Sequence, residues 1–156
     1  MTPTNVLEQA TEPQLLVVSA EYSLTPPERT FAYWTQPDLL VRWWPQTAET
    51  DAQVGGHYYF AWPAMDWHLR GRYTVVEPGR RLAFTWRWDG EPSEHIKDVE
   101  IRFEPLSSGG TRLTVTHGPY DDSTEGRETR QGHLDGWRHF LPRLSDALAA
   151  EAETSP

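Results

Sequence analysis

The chain has 156 residues and carries 14 basic against 23 acidic side chains, a net charge of −9, which argues against nucleic acid and anionic membrane as partners, because both need a basic surface. Charged residues make up 24% and apolar ones 37%, the balance of one soluble globular domain. There is no cysteine, so disulfides, thiol nucleophiles and thiolate metal sites are excluded together, and the composition suits the cytoplasm.

Met1 to Pro13 is polar, without a period, and reads as a flexible tail. It lacks the basic region followed by an apolar one that marks a secretory leader, and no later apolar run approaches the ~20 residues of a membrane span. Leu15 to Tyr22 reads as a first strand. Thr25-Pro-Pro-Glu28 is a helix start, with Thr25 as cap, Pro26 at the first helical position and Glu28 closing the box. That helix runs to about Gln36, where Pro37 stops it. A second short helix follows, pairing Leu39 with Trp43 and Leu40 with Trp44 at i, i+4, and Pro45 ends it.

From Thr47 the period changes from 3.6 to 2. Thr47 to Ala52 reads as a short strand, and His57 to Trp62 alternates with Tyr58, Phe60 and Trp62 on one face. After the Pro63 to Asp66 turn, Trp67 to Glu77 places Trp67, Leu69, Gly71, Tyr73 and Val75 together. Arg81 to Trp88 collects Leu82, Phe84, Trp86 and Trp88. A polar loop covers Asp89 to His95, Asp98 to Leu106 aligns Val99, Ile101 and Phe103, and Thr111 to His117 aligns Leu113, Val115 and His117. The last element, Ser123 to Ala150, is a long helix. Trp137, Phe140, Leu141, Leu144 and Leu148 form its stripe, and Asp122 followed by Glu125 is its start signal.

Short turns between successive strands mean an antiparallel sheet, and one apolar face per strand needs a cover. The expected fold is therefore α+β: an antiparallel sheet of about six or seven strands, two short helices after the first strand, and the long helix laid across the sheet. A single domain spans residues 14–151, with tails at 1–13 and 152–156.

A set of short motifs carries a family resemblance. They are Pro26-Pro-Glu-Arg-Thr-Phe31, Trp43-Trp44-Pro45, Gly55-Gly56, Gly71-Arg-Tyr-Thr-Val-Val-Glu-Pro78, Arg81-Leu-Ala-Phe-Thr-Trp86, Val99-Glu-Ile-Arg-Phe-Glu104, Gly110-Thr-Arg-Leu-Thr-Val-Thr-His117 and Gly136-Trp137. In this order, over Leu15 to Ala149, the chain resembles prokaryotic homologues of the C-terminal domain of the activator of heat-shock protein 90 ATPase, members of the START-like (SRPBCC) superfamily. The resemblance implies a helix-grip fold, a curved sheet wrapped around the C-terminal helix, and a hydrophobic ligand between the two. It also implies a chaperone partner as an alternative, although the docking domain of the eukaryotic activator has no counterpart in this sequence. The turn Trp62-Pro-Ala-Met-Asp-Trp67 is unusually aromatic and points to a cavity mouth particular to this chain.

Eight tryptophans exceed what a core of this size requires, and each brings a large ring and one N–H that wants a partner when buried. They can form a close-packed core or line a pocket with a few orienting polar groups. Strand parity alone leaves open which face looks inward. The residues expected to line a ligand site are Tyr58, Phe60, Trp62, Trp67, Tyr73, Trp86, Trp88, His117, His133 and Trp137. The leading expectation is a binding protein for a hydrophobic or aromatic small molecule. The alternatives are a chaperone accessory working through its surface, and an enzyme of the same fold using pocket histidine or tyrosine.

The six histidines, His57, His68, His95, His117, His133 and His139, show no i, i+4 pair on a helix or i, i+2 pair on a strand, so no metal and no cofactor is expected. No Gly-x-Ser-x-Gly elbow or phosphate-cradling glycine loop is present. Edge strands of the sheet allow a homodimer.

Overall fold

In the computed structural model, residues 6–9, 14–92 and 96–154 are described. The strands are β1 (Leu7–Glu8), β2 (Leu16–Tyr22), β3 (Thr47–Thr50), β4 (His57–Trp62), β5 (Trp67–Glu77), β6 (Arg81–Trp88), β7 (Lys97–Pro105) and β8 (Thr111–Gly118). Helices α1 (Pro27–Thr35) and α2 (Pro37–Leu40) follow β2, and α3 (Thr124–Thr154) closes the chain. All neighbouring strands pair antiparallel in one eight-stranded sheet of order β1-β2-β8-β7-β6-β5-β4-β3. From β3 to β8 each strand lies beside the one before it, so α1 and α2 alone carry the chain across from β2 to the far edge. This curved sheet around a long C-terminal helix is the helix-grip topology.

The strand alternation reads directly in burial. Leu16, Val18, Ala20 and Tyr22 of β2, Val99, Ile101 and Phe103 of β7, and Leu113, Val115 and His117 of β8 are all buried. Against them α3 sets Leu134, Trp137, Leu141, Leu144 and Leu148, spaced three and four apart as one face of a helix demands. The Tyr22 hydroxyl donates to the Leu141 carbonyl at 3.0 Å and ties the sheet to the helix. Two residues further along α3, Arg143 Nε donates to the Trp43 carbonyl at 3.1 Å, and the Trp43 indole donates to the Tyr33 carbonyl at 2.8 Å.

Several local readings need correction. Helix α1 starts one residue later than expected, with Pro26 as cap and Pro27 at the first helical position. Thr25 makes no side-chain cap; its carbonyl accepts from the Thr111 hydroxyl at 2.7 Å instead. At α3 the cap is Ser123 rather than Asp122: its Oγ accepts from the Gly126 amide at 2.9 Å, three positions into the helix. In β5 a bulge between Tyr73 and Val75 shifts the register, so Val76, not Val75, packs on the core behind Tyr73.

The sheet has one strand more than expected, because Leu7–Glu8, within the stretch read as a tail, pairs with Ser19 and Val18 of β2. The helix also continues through Thr154, past the expected end at Ala150. Glu151 is fixed there by Arg29 (Nε to Oε2, 3.0 Å) and by the Tyr33 hydroxyl (2.9 Å). The part of the polar loop at Ser93 to His95 lies outside the described residues.

Candidate functional site

Burial along β6 shows where sheet and helix part. Leu82 is fully buried, Phe84 is 3% exposed, Trp86 6%, and Trp88 only partly covered. On β5 the same trend ends with Trp67, which is 48% exposed. These residues share the inner face of their strands, so the core opens towards the Trp67–Trp88 end. A groove of about 670 Å³ lies there, inside the range usual for small-molecule sites.

The wall of the groove is built from indoles: Trp44 after α2, Trp62 from β4, Trp67 from β5, Trp86 and Trp88 from β6, and Trp137 from α3, with Phe140 beside it. Trp62, Trp67 and Trp88 stand 5.6–6.5 Å apart, each ring tilted 48–67° to the next. Trp44 is the joint of the cluster, stacked on Trp43 at 5.3 Å and Trp86 at 5.9 Å, with Trp137 at 5.4 Å.

Room for the groove comes from two glycines on α3. Gly132 and Gly136 both line it, one turn apart, and a Cβ built at either would meet nothing within 4 Å. Glycine inside a helix costs about 1 kcal/mol relative to alanine, so these positions trade helix stability for open space.

The polar groups fall into two sets. One is buried beside the indoles. Trp137 Nε1 donates to His117 Nδ1 at 3.1 Å, which puts the proton of the neutral His117 imidazole on Nε2; that atom is buried without a partner among the described residues. His133 stacks on His117 with centroids 4.3 Å apart and planes 4° off parallel, and His133 Nδ1 meets the Tyr120 hydroxyl at 2.7 Å.

Burial, with Lys97 nearby, lowers the His133 pKa to about 4. Burial, then His133 and Lys97, holds His117 well below the ordinary histidine value. Both imidazoles are therefore neutral at pH 7. The Trp86 indole N–H is also buried and without an acceptor among the described residues.

The second set stands at the rim. Asp66 contacts His68 Nε2 at 2.9 Å, Asp89 accepts from Arg70 Nε at 2.9 Å, and Asp135 accepts from the Gln131 amide at 2.9 Å. All three aspartates line the groove, and no lysine or arginine does.

Of the residues expected from sequence, the structure brings Trp62, Trp67, Trp86, Trp88, His133 and Trp137 to the groove wall. It places Tyr58, Phe60, Tyr73 and His117 in the closed part of the core. Tyr58 packs on Phe60, Phe84 and Tyr73 at 4.6–5.7 Å, while His117 lies fully buried against His133 and Trp137. The aromatic turn read as a cavity mouth supplies Trp62, Asp66 and Trp67 to the groove. Sequence reasoning missed Trp44, Phe140, the two glycines and the rim residues Asp66, His68, Asp89, Asp135 and His139. Phe140 was visible in the helical stripe; nothing in the pattern marked the aspartates. Among the described residues no three His, Asp or Glu side chains gather as a metal site would require, and no helix is long and apolar enough to cross a membrane.

Comparison with known proteins places this geometry among relatives. The family described as "Activator of Hsp90 ATPase homolog 1-like protein" matches residues 24–149. The mouse protein named "Activator of 90 kDa heat shock protein ATPase homolog 1" is 24% identical over 128 residues, which is 82% of this chain and 35% of that protein. The chain thus spans about a third of that relative's length. Among solved structures, protein MLL2253 from Mesorhizobium loti superposes with a TM-score of 0.76 at 23% identity, covering 91% of this chain and 99% of that one. PFC0360w, described as an HSP90 activator from Plasmodium falciparum, superposes with a TM-score of 0.71 at 21% identity, covering 87% and 96%. At these identities the structural likeness is one of fold.

Proposed function

This chain belongs to the family of Activator of Hsp90 ATPase homolog 1-like proteins, within the START-like superfamily, and on that premise we propose that it is a chaperone accessory, an activator-like partner of a heat-shock ATPase. The observation that carries this reading is the match over residues 24–149 to a family whose mouse relative bears that activity in its name. It ranks above the small-molecule reading placed first on the sequence. The contact surface would include the exposed apolar side chains at this end of the sheet, Met65, 56% exposed, and Trp67 two residues on. Apolar residues so placed are suited to a partner. The test is the ATP hydrolysis rate of a bacterial 90 kDa heat-shock chaperone with and without an excess of this protein. Stimulation together with co-elution is expected. An unchanged rate with no co-elution rejects the reading.

A second reading is favoured by the groove itself: a hydrophobic or aromatic small molecule held between the sheet and α3. Its support is the ring-walled space of about 670 Å³. Apolar burial contributes on the order of 25 cal/mol per Å² before the cost of association. Trp62, Trp67, Trp86, Trp88, His133 and Trp137 would contact the ligand, and Tyr58, Phe60, Tyr73 and His117 would back them. Occupancy should change tryptophan emission and raise the melting temperature. A broad panel of lipids and aromatic acids that changes neither would remove this reading.

A further inference from the structure

The rim of the groove has a one-sided charge. Three carboxylates, Asp66, Asp89 and Asp135, line it, and the lining contains no lysine or arginine. Arg70, which binds Asp89, lies outside the lining. Asp66 faces His68. Asp135 is different: among the described residues its hydrogen-bond partner is the neutral Gln131 amide, and it is exposed on the α3 face that carries Gly132, Gly136 and Phe140. Beneath the carboxylates stand the tilted rings of Trp62, Trp67 and Trp88, whose centroids are too close together to admit a ligand between them. A ligand therefore lies against their open side, with Trp67 half-exposed to receive it.

Indole faces carry negative potential and attract cations more strongly than other rings do. Rim carboxylates add to that attraction, and the net charge of −9 draws cations towards the whole molecule. An anionic ligand, such as a fatty or aromatic acid, would meet three aspartates and no lysine or arginine in the lining.

We propose that the groove selects a small aromatic ammonium: an apolar ring system laid on the indoles, with a positive charge directed at Asp135. This deepens the second reading above and rests on it. His133, neutral at pH 7 because burial lowers its pKa to about 4, adds no opposing charge to the wall.

The experiment is isothermal titration calorimetry at pH 7.5 with three naphthalene probes that share one ring system: 2-naphthylmethylamine, 2-naphthylmethanol and 2-naphthoate. The amine should bind about tenfold tighter than the alcohol, and the carboxylate weakest. The amine's advantage should shrink as salt is raised. Asp135→Asn should weaken amine binding about threefold to tenfold and weaken alcohol binding less, with the melting temperature reporting that the variant is folded. Alcohol binding as tight as amine binding, or amine binding untouched by Asp135→Asn, overturns the cation preference while the groove remains a binding site. No binding by any of the three overturns the preference and the small-molecule reading together.

Discussion

His117 and His133 are two stacked imidazoles kept uncharged by burial, and their neutrality has a consequence for stability. An unfolded histidine titrates near 6.5, whereas folded His133 titrates near 4. Between those values the unfolded chain takes up a proton that the folded chain refuses. Stability is therefore fully present above about pH 6.5 and is lost as pH falls towards 4, by about 3 kcal/mol from His133 alone. His117, with its pKa lowered in the same direction, adds to the loss. The carboxylates act in a lower window. At Glu100 burial raises the pKa, but Arg81 and Arg102 outweigh it and hold the group below its ordinary 4.5. At Glu151 the bond from Arg29 is the main cause of a lowered value. Those two weaken the fold only at more acidic pH. The urea midpoint should accordingly drop between pH 7 and pH 5, and His133→Gln should flatten that drop. Equal midpoints at pH 7 and pH 5 in the unaltered protein would mean that the imidazoles take up protons without unfolding.

At the level of elements, the junction of β4, β5 and β6 depends on one missing side chain. The Tyr58 hydroxyl reaches over β5 and donates to the Thr85 carbonyl at 2.6 Å, passing above Gly71. A Cβ at residue 71 would stand 2.1 Å from the Thr85 oxygen and 2.4 Å from the Tyr58 ring. One of those neighbours is sheet backbone and cannot step aside, so Gly71→Ala should destabilise by about 1–3 kcal/mol, read as a lower melting temperature. An unchanged melting temperature would show that the strands yield at this point. The elements themselves were legible because periodicity reports burial: alternating strands and the 3–4 spacing of α3 need no long-range information. The misreadings have equally physical causes. The bulge after Tyr73 inserts a residue that no local pattern announces. The pairing of Leu7 and Glu8 depends on a distant strand edge. Glu151 extends α3 because Arg29 of α1 waits there, a partner 122 residues away.

On the scale of the whole molecule, the sheet and α3 close tightly at one end and part at the other, and the sequence carried only half of that. Trp62, Trp67, Trp86, Trp88 and Trp137 were legible as groove residues because aromatic side chains in such excess need somewhere to stand. Where the closed half ends was not legible, since Tyr58 and Trp88 obey the same alternation and differ only in their distance from the open end of the sheet. Asp135 and the two helix glycines were silent because their part is to leave space and charge, not to pack. Those glycines allow the two proposed functions to be separated. Gly136 has open space where a side chain would begin, and any ordinary residue there improves helix propensity by up to about 1 kcal/mol. Gly136→Leu should therefore fold at least as stably as the parent while its side chain fills the groove between Trp137 and the facing indoles. Binding of groove ligands should be lost. Stimulation of a chaperone ATPase should persist if the partner docks on the outer rim, because a plugged groove leaves Met65 and the outer face of Trp67 in place. Calorimetry and the hydrolysis assay on this one variant check both outcomes. Surviving ligand binding would put the small molecule somewhere other than the groove, and lost stimulation would mean that the chaperone inserts into the groove instead of resting on its edge.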